Sequence, residues 1–166
     1  MHARSIELLN KALREELLAI NQYMYFHFHC DDQGLDLLSS LFKRIAIEEM
    51  GHVEILSERI LFLKGEVEMD MMLKVEKIKE VEQMLISATT AEEEAVVDYN
   101  KFAIESANNS DAMSKQIFES IIADEERHYS LLDSELSSLK KYGDKYLTLQ
   151  SIERSKSNST KMNPTA

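Results

Sequence analysis

Two Glu-x-x-His segments, Glu49-Met50-Gly51-His52 and Glu125-Glu126-Arg127-His128, carry the residue types in this chain best suited to chemistry. Each is preceded at one fixed distance by a lone glutamate: Glu16 stands before Glu49 and Glu92 before Glu125, both by 33 residues (49 − 16 = 125 − 92 = 33). The repeated unit supplies four carboxylates and two imidazoles, the ligand set of a dinuclear metal site inside a four-helix bundle. Oxygen-rich donors with one imidazole per metal suit iron or manganese. No cysteine joins the set, which argues against a structural zinc site of the thiolate type.

Motif counting alone says little, because 21 glutamates and five histidines in 166 residues give roughly 0.6 Glu-x-x-His matches by chance. The register says more. Glu16, Glu49, Glu92 and Glu125 all fall where a helical stripe demands an apolar side chain. A lone carboxylate there costs several kcal/mol or keeps its proton. Four at one level need positive charge, and no Lys or Arg lies on these stripes. Two divalent cations would supply it. The i, i+3 spacing sets Glu49 beside His52 and Glu125 beside His128 on one face of each helix.

The elements that must position these groups are four long helices. The first runs over about Ser5–Asp32 with stripe Ile6, Leu9, Leu13, Glu16, Ile20, Tyr23 and His27, and stops at Gly34. The second runs over about Asp36–Leu63 and is ended by Gly65. A connection from Gly65 to Lys79 is too long for a tight hairpin and long enough to run back along the bundle. The third helix spans about Glu80–Ala107, its stripe running from Val81 and Leu85 through Glu92 to Tyr99 and Phe102. Asn108-Asn109-Ser110-Asp111 supplies a turn and an N-cap for a fourth helix over about Asp111–Lys141. After Gly143, Tyr146, Leu147, Leu149 and Ile152 form a short fifth helix. Residues 1–154 make one all-α domain, and 155–166, rich in Ser, Asn, Thr and Lys, read as a disordered polar tail.

Composition agrees with this and excludes other classes. Four Gly, one Pro and no Trp suit an all-helical protein. A net charge of −11 argues against nucleic acid as a partner. A single cysteine suits a reducing compartment, and the start of the chain runs straight into an amphipathic pattern, so a cytoplasmic location is expected. No stretch approaches the ~20 apolar residues of a membrane span.

Glu16-Leu17-Leu18-Ala19-Ile20-Asn21-Gln22-Tyr23, Glu48-Glu49-Met50-Gly51-His52 with the following Glu58–Gly65, and Asp124-Glu125-Glu126-Arg127-His128 together resemble bacterioferritin, the haem-containing bacterial branch of the ferritins. The resemblance extends over about residues 6–150. It implies a ferritin-like antiparallel four-helix bundle with a long crossover between the second and third helices. It implies that Glu16 and His52 bind one iron, Glu92 and His128 the other, and that Glu49 and Glu125 bridge them. The implied activity is ferroxidase: Fe(II) is oxidised by O2 or H2O2 and stored as ferric mineral in a hollow homo-oligomeric shell of 24 subunits. Met50, beside Glu49 but off the inward stripe, occupies the place of the axial ligand of a b-type haem shared at a two-fold interface. An electron-donor ferredoxin belongs to the implied partners.

Some positions depart from the family. Arg44 and Glu48 stand where certain members carry an inner-surface histidine and aspartate, and Leu56 and Leu131 where some carry extra aromatics. His27, His29, Cys30, Asp31 and Asp32 read as a polar helix end rather than a second metal site. The competing functions are a Dps-like shell or another ferritin-like di-iron peroxidase or oxidase. The absence of a four-cysteine iron site, and of a cysteine pair near the centre, counts against both.

Overall fold

The computed structural model describes residues 2–152. Four long helices follow in order: α1 Ala3–Asp32, α2 Asp36–Phe62, α3 Val81–Asn108 and α4 Ala112–Tyr142. A short α5 covers 144–152, and no strand occurs among the described residues. The chain adopts the expected bundle, with helix ends shifted by one or two residues. The tail expected at 155–166, and the domain boundary at 154, lie outside the described residues.

α1 packs on α2 and α3 on α4 as two antiparallel hairpins. At the first turn Gly34 takes φ 77° and the Leu35 N–H donates to Cys30 O at 2.8 Å, a glycine-dependent cap. α2 ends within a residue of the expected place. Lys64, not Gly65, takes the left-handed conformation (φ 63°), while the Gly65 N–H donates to Ile60 O at 2.9 Å. Gly65 is needed for space instead. A Cβ there would stand 2.7 Å from Ile6 Cγ2 and 3.0 Å from Ile60 Cγ2.

From this close contact the crossover runs the length of α1. The Asn10 side-chain amide donates to Glu66 O (2.8 Å) and its oxygen accepts from the Glu68 N–H (3.0 Å). Gln22 repeats the arrangement with Glu76 O (3.0 Å) and the Glu76 N–H (2.7 Å), and Gln33 donates to Lys79 O (3.1 Å). Backbone groups of a non-helical segment need such partners. The amide ladder thereby delivers α3 to the end of the bundle where α2 begins.

Two apolar clusters fill the interior, one at each end. Tyr23, Phe26, Leu38, Phe42, Ile45, Met84, Leu85 and Leu132 belong to one. Leu9, Leu13, Leu56, Ile60, Tyr99, Phe102, Phe118 and Ile121 belong to the other. Between them lies a buried polar layer of Glu16, Glu49, His52, Glu92, Glu125 and His128. α5 docks at the far end of the first cluster, where the Gln150 side-chain oxygen accepts from the N–H groups of Leu37 and Leu38 (3.1 and 3.3 Å) and so caps α2.

Asp111 fixes where α4 begins, and so the depth of Glu125 and His128. Its carboxylate accepts from the Ser114 N–H (3.1 Å) and pairs with Arg59 of α2 (2.5 Å). Burial pushes this carboxyl up, but the Ser114 and Arg59 hydrogen bonds outweigh it and hold the pKa at about 2. Loss of the cap and of the buried pair in Asp111→Ala should destabilise the protein by about 2–3 kcal/mol. Because the folded-state pKa lies below the unfolded value near 4, that stabilisation is complete above about pH 4 and is lost as the pH falls towards 2. Thermal melts of wild type and variant should therefore differ most near neutrality and converge below pH 4.

Candidate metal centre

Each main helix brings one glutamate to the polar layer, and α2 and α4 add one histidine each. Two overlapping groups result: Glu16, Glu49, His52 and Glu125, and Glu49, Glu92, Glu125 and His128, with candidate ligand atoms within 4.8 Å of one another in each group. Glu49 and Glu125 belong to both. His52 Nδ1 lies 2.7 Å from Glu49 Oε2, 3.1 Å from Glu125 Oε1 and 3.5 Å from Glu16 Oε2. His128 Nδ1 lies 3.0 Å from Glu49 Oε1, 3.6 Å from Glu125 Oε2 and 3.7 Å from Glu92 Oε2. All six side chains are buried.

Both Glu49 oxygens, Glu125 Oε1 and the Nδ1 atoms of both histidines have no well-aligned hydrogen-bond partner, although all are buried. Buried polar atoms are normally satisfied. Five orphaned donor atoms converging on one level are the pattern expected where cations complete the coordination. Carboxylate and imidazole together fit iron or manganese better than a softer metal.

The outer carboxylates are held by phenols. The Tyr99 hydroxyl donates to Glu16 Oε1 at 2.6 Å, and the Tyr23 hydroxyl donates to Glu92 Oε1. Tyr23 shares the α1 stripe with Glu16, but its hydroxyl bonds across the bundle to Glu92. Tyr99 reads in the sequence only as an apolar stripe residue. Its signal was nonetheless present, since Tyr99 follows Glu92 by the same seven residues that separate Tyr23 from Glu16 (99 − 92 = 23 − 16 = 7).

The stripes carry no Lys or Arg to compensate the four carboxylates, and in the metal-free protein the two imidazoles are the positive groups beside them. Burial disfavours the charged imidazole, yet Glu125, Glu49 and Glu92 hold the His128 pKa up at about 12, and Glu125, Glu16 and Glu49 raise that of His52 further. Burial, together with the charges of Glu125 and Glu49, pushes Glu16 well up. Glu92 is raised by burial and by sharing its proton with Glu125. Burial opposes ionisation of Glu125, but Glu92 and the two imidazoles hold its pKa far below the usual range. Protons and metal ions thus compete for the same atoms.

Between α1, α3 and the crossover a cavity of about 580 Å³ reaches the layer, touching Glu16, Glu92 and Glu125 at its floor and Glu15, Glu94 and Asp98 further out. The opposite side, between α2 and α4, is closed by Glu48, Asp124 and Arg127. Elsewhere, the His27 ring meets the Ser39 hydroxyl (2.9 Å), and Cys30 is buried against Met84 Sδ (3.8 Å). Among the described residues the only metal-capable groups are the two at the centre.

The family model of the ferritin-like domain matches residues 6–142. The bacterioferritin of Rhodobacter capsulatus is 36% identical over 142 residues, covering 85% of this chain and 88% of that protein. That of Desulfovibrio desulfuricans is 36% identical over 145 residues (87% and 81%), and that of Streptomyces coelicolor 32% over 149 (90% and 89%). The chain belongs to the bacterioferritin family. As the sequence predicted, no helix among its described residues is long and apolar enough to cross a membrane.

In this bacterioferritin family member the charge pattern makes Glu125 a stabilising group before any metal binds. Glu125→Gln removes the anion shared by two imidazoles and should destabilise the metal-free protein by about 2–3 kcal/mol. Thermal unfolding in the presence of chelator checks this. An unchanged or raised melting temperature would mean that the imidazoles do not balance the carboxylates.

Proposed function

We propose that this chain is an iron-storage ferroxidase, with Fe(II) as substrate and O2 or H2O2 as oxidant. The oxidised iron is retained as ferric mineral inside a hollow shell of 24 copies in the cytoplasm, and an electron-donor ferredoxin supports its release. The observation that carries this reading is the pair of ligand groups that share Glu49 and Glu125. In this reading Glu16 and His52 would hold one iron and Glu92 and His128 the other, with Glu49 and Glu125, which belong to both groups, shared between them.

Two bound Fe(II) ions give up one electron each, which with two protons convert H2O2 to two waters or O2 to H2O2. The rest is the work of this chain's residues. The acidic cavity between α1 and α3 offers cations a path from solvent to Glu16 and Glu92. The imidazole Nδ1 atoms and the outer carboxyls of Glu16 and Glu92 would give up protons on binding cations, so uptake would be coupled to proton release. Tyr23 and Tyr99 keep the outer carboxylates aimed while the charge at the centre changes. The two apolar clusters exclude bulk water from above and below.

Met50 fits a separate role. It is 51% exposed on the outer side of α2, next to the exposed Ile47, and Gly51 leaves open space beside it. A thioether so placed would hold a b-type haem together with the Met50 of a second copy across a two-fold axis, and the haem would supply a one-electron redox group there. Met50→Leu keeps the volume and removes the ligand. The variant should assemble normally, lack the haem Soret band and oxidise iron at a near-normal rate. Stoichiometric haem in Met50→Leu would contradict the axial role.

For the centre itself, Glu125→Gln should abolish the fast phase of oxidation at two Fe(II) per subunit in stopped-flow absorbance, because a bridging carboxylate serves both ions. A fast phase of wild-type amplitude would place the chemistry elsewhere. Ferric mineral held in the shell after repeated Fe(II) additions separates storage from a peroxidase or oxidase acting on another substrate.

A further inference from the structure

The two site segments are register-matched halves of an internal repeat: Glu48-Glu49-Met50-Gly51-His52 recurs 76 residues later (124 − 48 = 76) as Asp124-Glu125-Glu126-Arg127-His128. The first acid of each half reaches the histidine of the other. Glu48 Oε2 lies 2.7 Å from His128 Nε2, and Asp124 Oδ2 lies 3.2 Å from His52 Nε2. These contacts brace α2 against α4 from behind the metal centre. The repeat breaks at its third and fourth positions, with Met50 against Glu126 and Gly51 against Arg127. The single arginine serves both: Arg127 Nη2 donates to Glu48 Oε2 and to Asp124 Oδ1, each at 2.8 Å. An unbroken chain results, from His52 through Asp124, Arg127 and Glu48 to His128.

We infer that Arg127 is a positioning residue that holds both imidazoles with Nε2 outward and Nδ1 towards the metals, and so couples the two halves of the centre. The inference rests on the metal-centre reading above and concerns a residue that touches neither metal. A carboxylate that accepts from Nε2–H fixes the tautomer and leaves the Nδ1 lone pair for a metal. Glu48 and Asp124 keep substantial solvent exposure (31% and 45% of their side chains). Without the shared guanidinium, two like charges on neighbouring helices turn outward to water and release both rings.

The sign of the effect separates this role from that of a bystander. Simple Coulomb repulsion predicts that removing a positive charge near a cation site tightens metal binding. Loss of positioning predicts the reverse. Co(II), followed by its visible d–d absorption, reports affinity without turnover. Wild type should bind two Co(II) per subunit. Arg127→Gln should bind them about 10-fold or more weakly, and Arg127→Lys, whose ammonium can donate to both carboxylates, should recover most of the loss. In a Glu48→Gln/Asp124→Asn background, Arg127→Gln should cost nothing further. Equal or tighter Co(II) binding by Arg127→Gln, no recovery with Lys, or an undiminished loss in the double-variant background would each overturn the role of Arg127 while leaving the metal centre standing. A wild type that binds no Co(II) pair would overturn the metal-centre reading and this inference with it.

Discussion

Four carboxylates and two imidazoles packed at one level of a helical bundle constrain everything else in this molecule. All six side chains are buried, so their charges must largely balance one another. In the metal-free protein the surrounding carboxylates push the imidazoles towards the charged form, Glu92 and the imidazoles push Glu125 towards the ionised form, and burial pushes Glu16 and Glu92 towards the neutral form. Two divalent cations at the proposed centre would displace protons from these same atoms, so metal uptake there would be coupled to proton release.

The helices exist to hold that layer. Phe26, Phe42 and their neighbours seal one side, and Phe102 and Phe118 the other. The sides of the bundle are not equivalent. Between α1 and α3 the crossover leaves a cavity that runs down to the carboxylates. Between α2 and α4 the Glu48–Arg127–Asp124 bracket closes the site. Approach is thus open on the face that carries one ligand per helix and restrained on the face that carries two. A carboxylate on a flexible stem can swing to meet an arriving cation, whereas the imidazoles are held from behind.

Much of this was legible because a carboxylate on an apolar stripe is so costly that its position is informative. Glu16, Glu49, Glu92 and Glu125 stood out for that reason, and the four helices followed from the same stripes. The crossover was legible from its length, but its hydrogen bonds to Asn10, Gln22 and Gln33 depend on where the bundle surface lies. Gly65 marks the end of α2 in the sequence, but its reason does not show there: Lys64 takes the left-handed conformation and Ile6 claims the space at Gly65. Tyr99 was taken for core because its ring is core, and only its hydroxyl is not. Asp124 and Arg127 gave no signal by type. Which acid faces which histidine is set by the mutual rotation of α2 and α4, a property of packing rather than of either stripe.

The proposed function requires that Glu49 and Glu125 join two metals at one level of the bundle. Anomalous X-ray diffraction at the iron edge, from crystals soaked anaerobically in Fe(II), tests it most directly. The account predicts two peaks per subunit about 3.5–4 Å apart, with Glu49 and Glu125 each touching both, Glu16 and His52 on one and Glu92 and His128 on the other. A single peak, or paired peaks away from the buried layer, would contradict it.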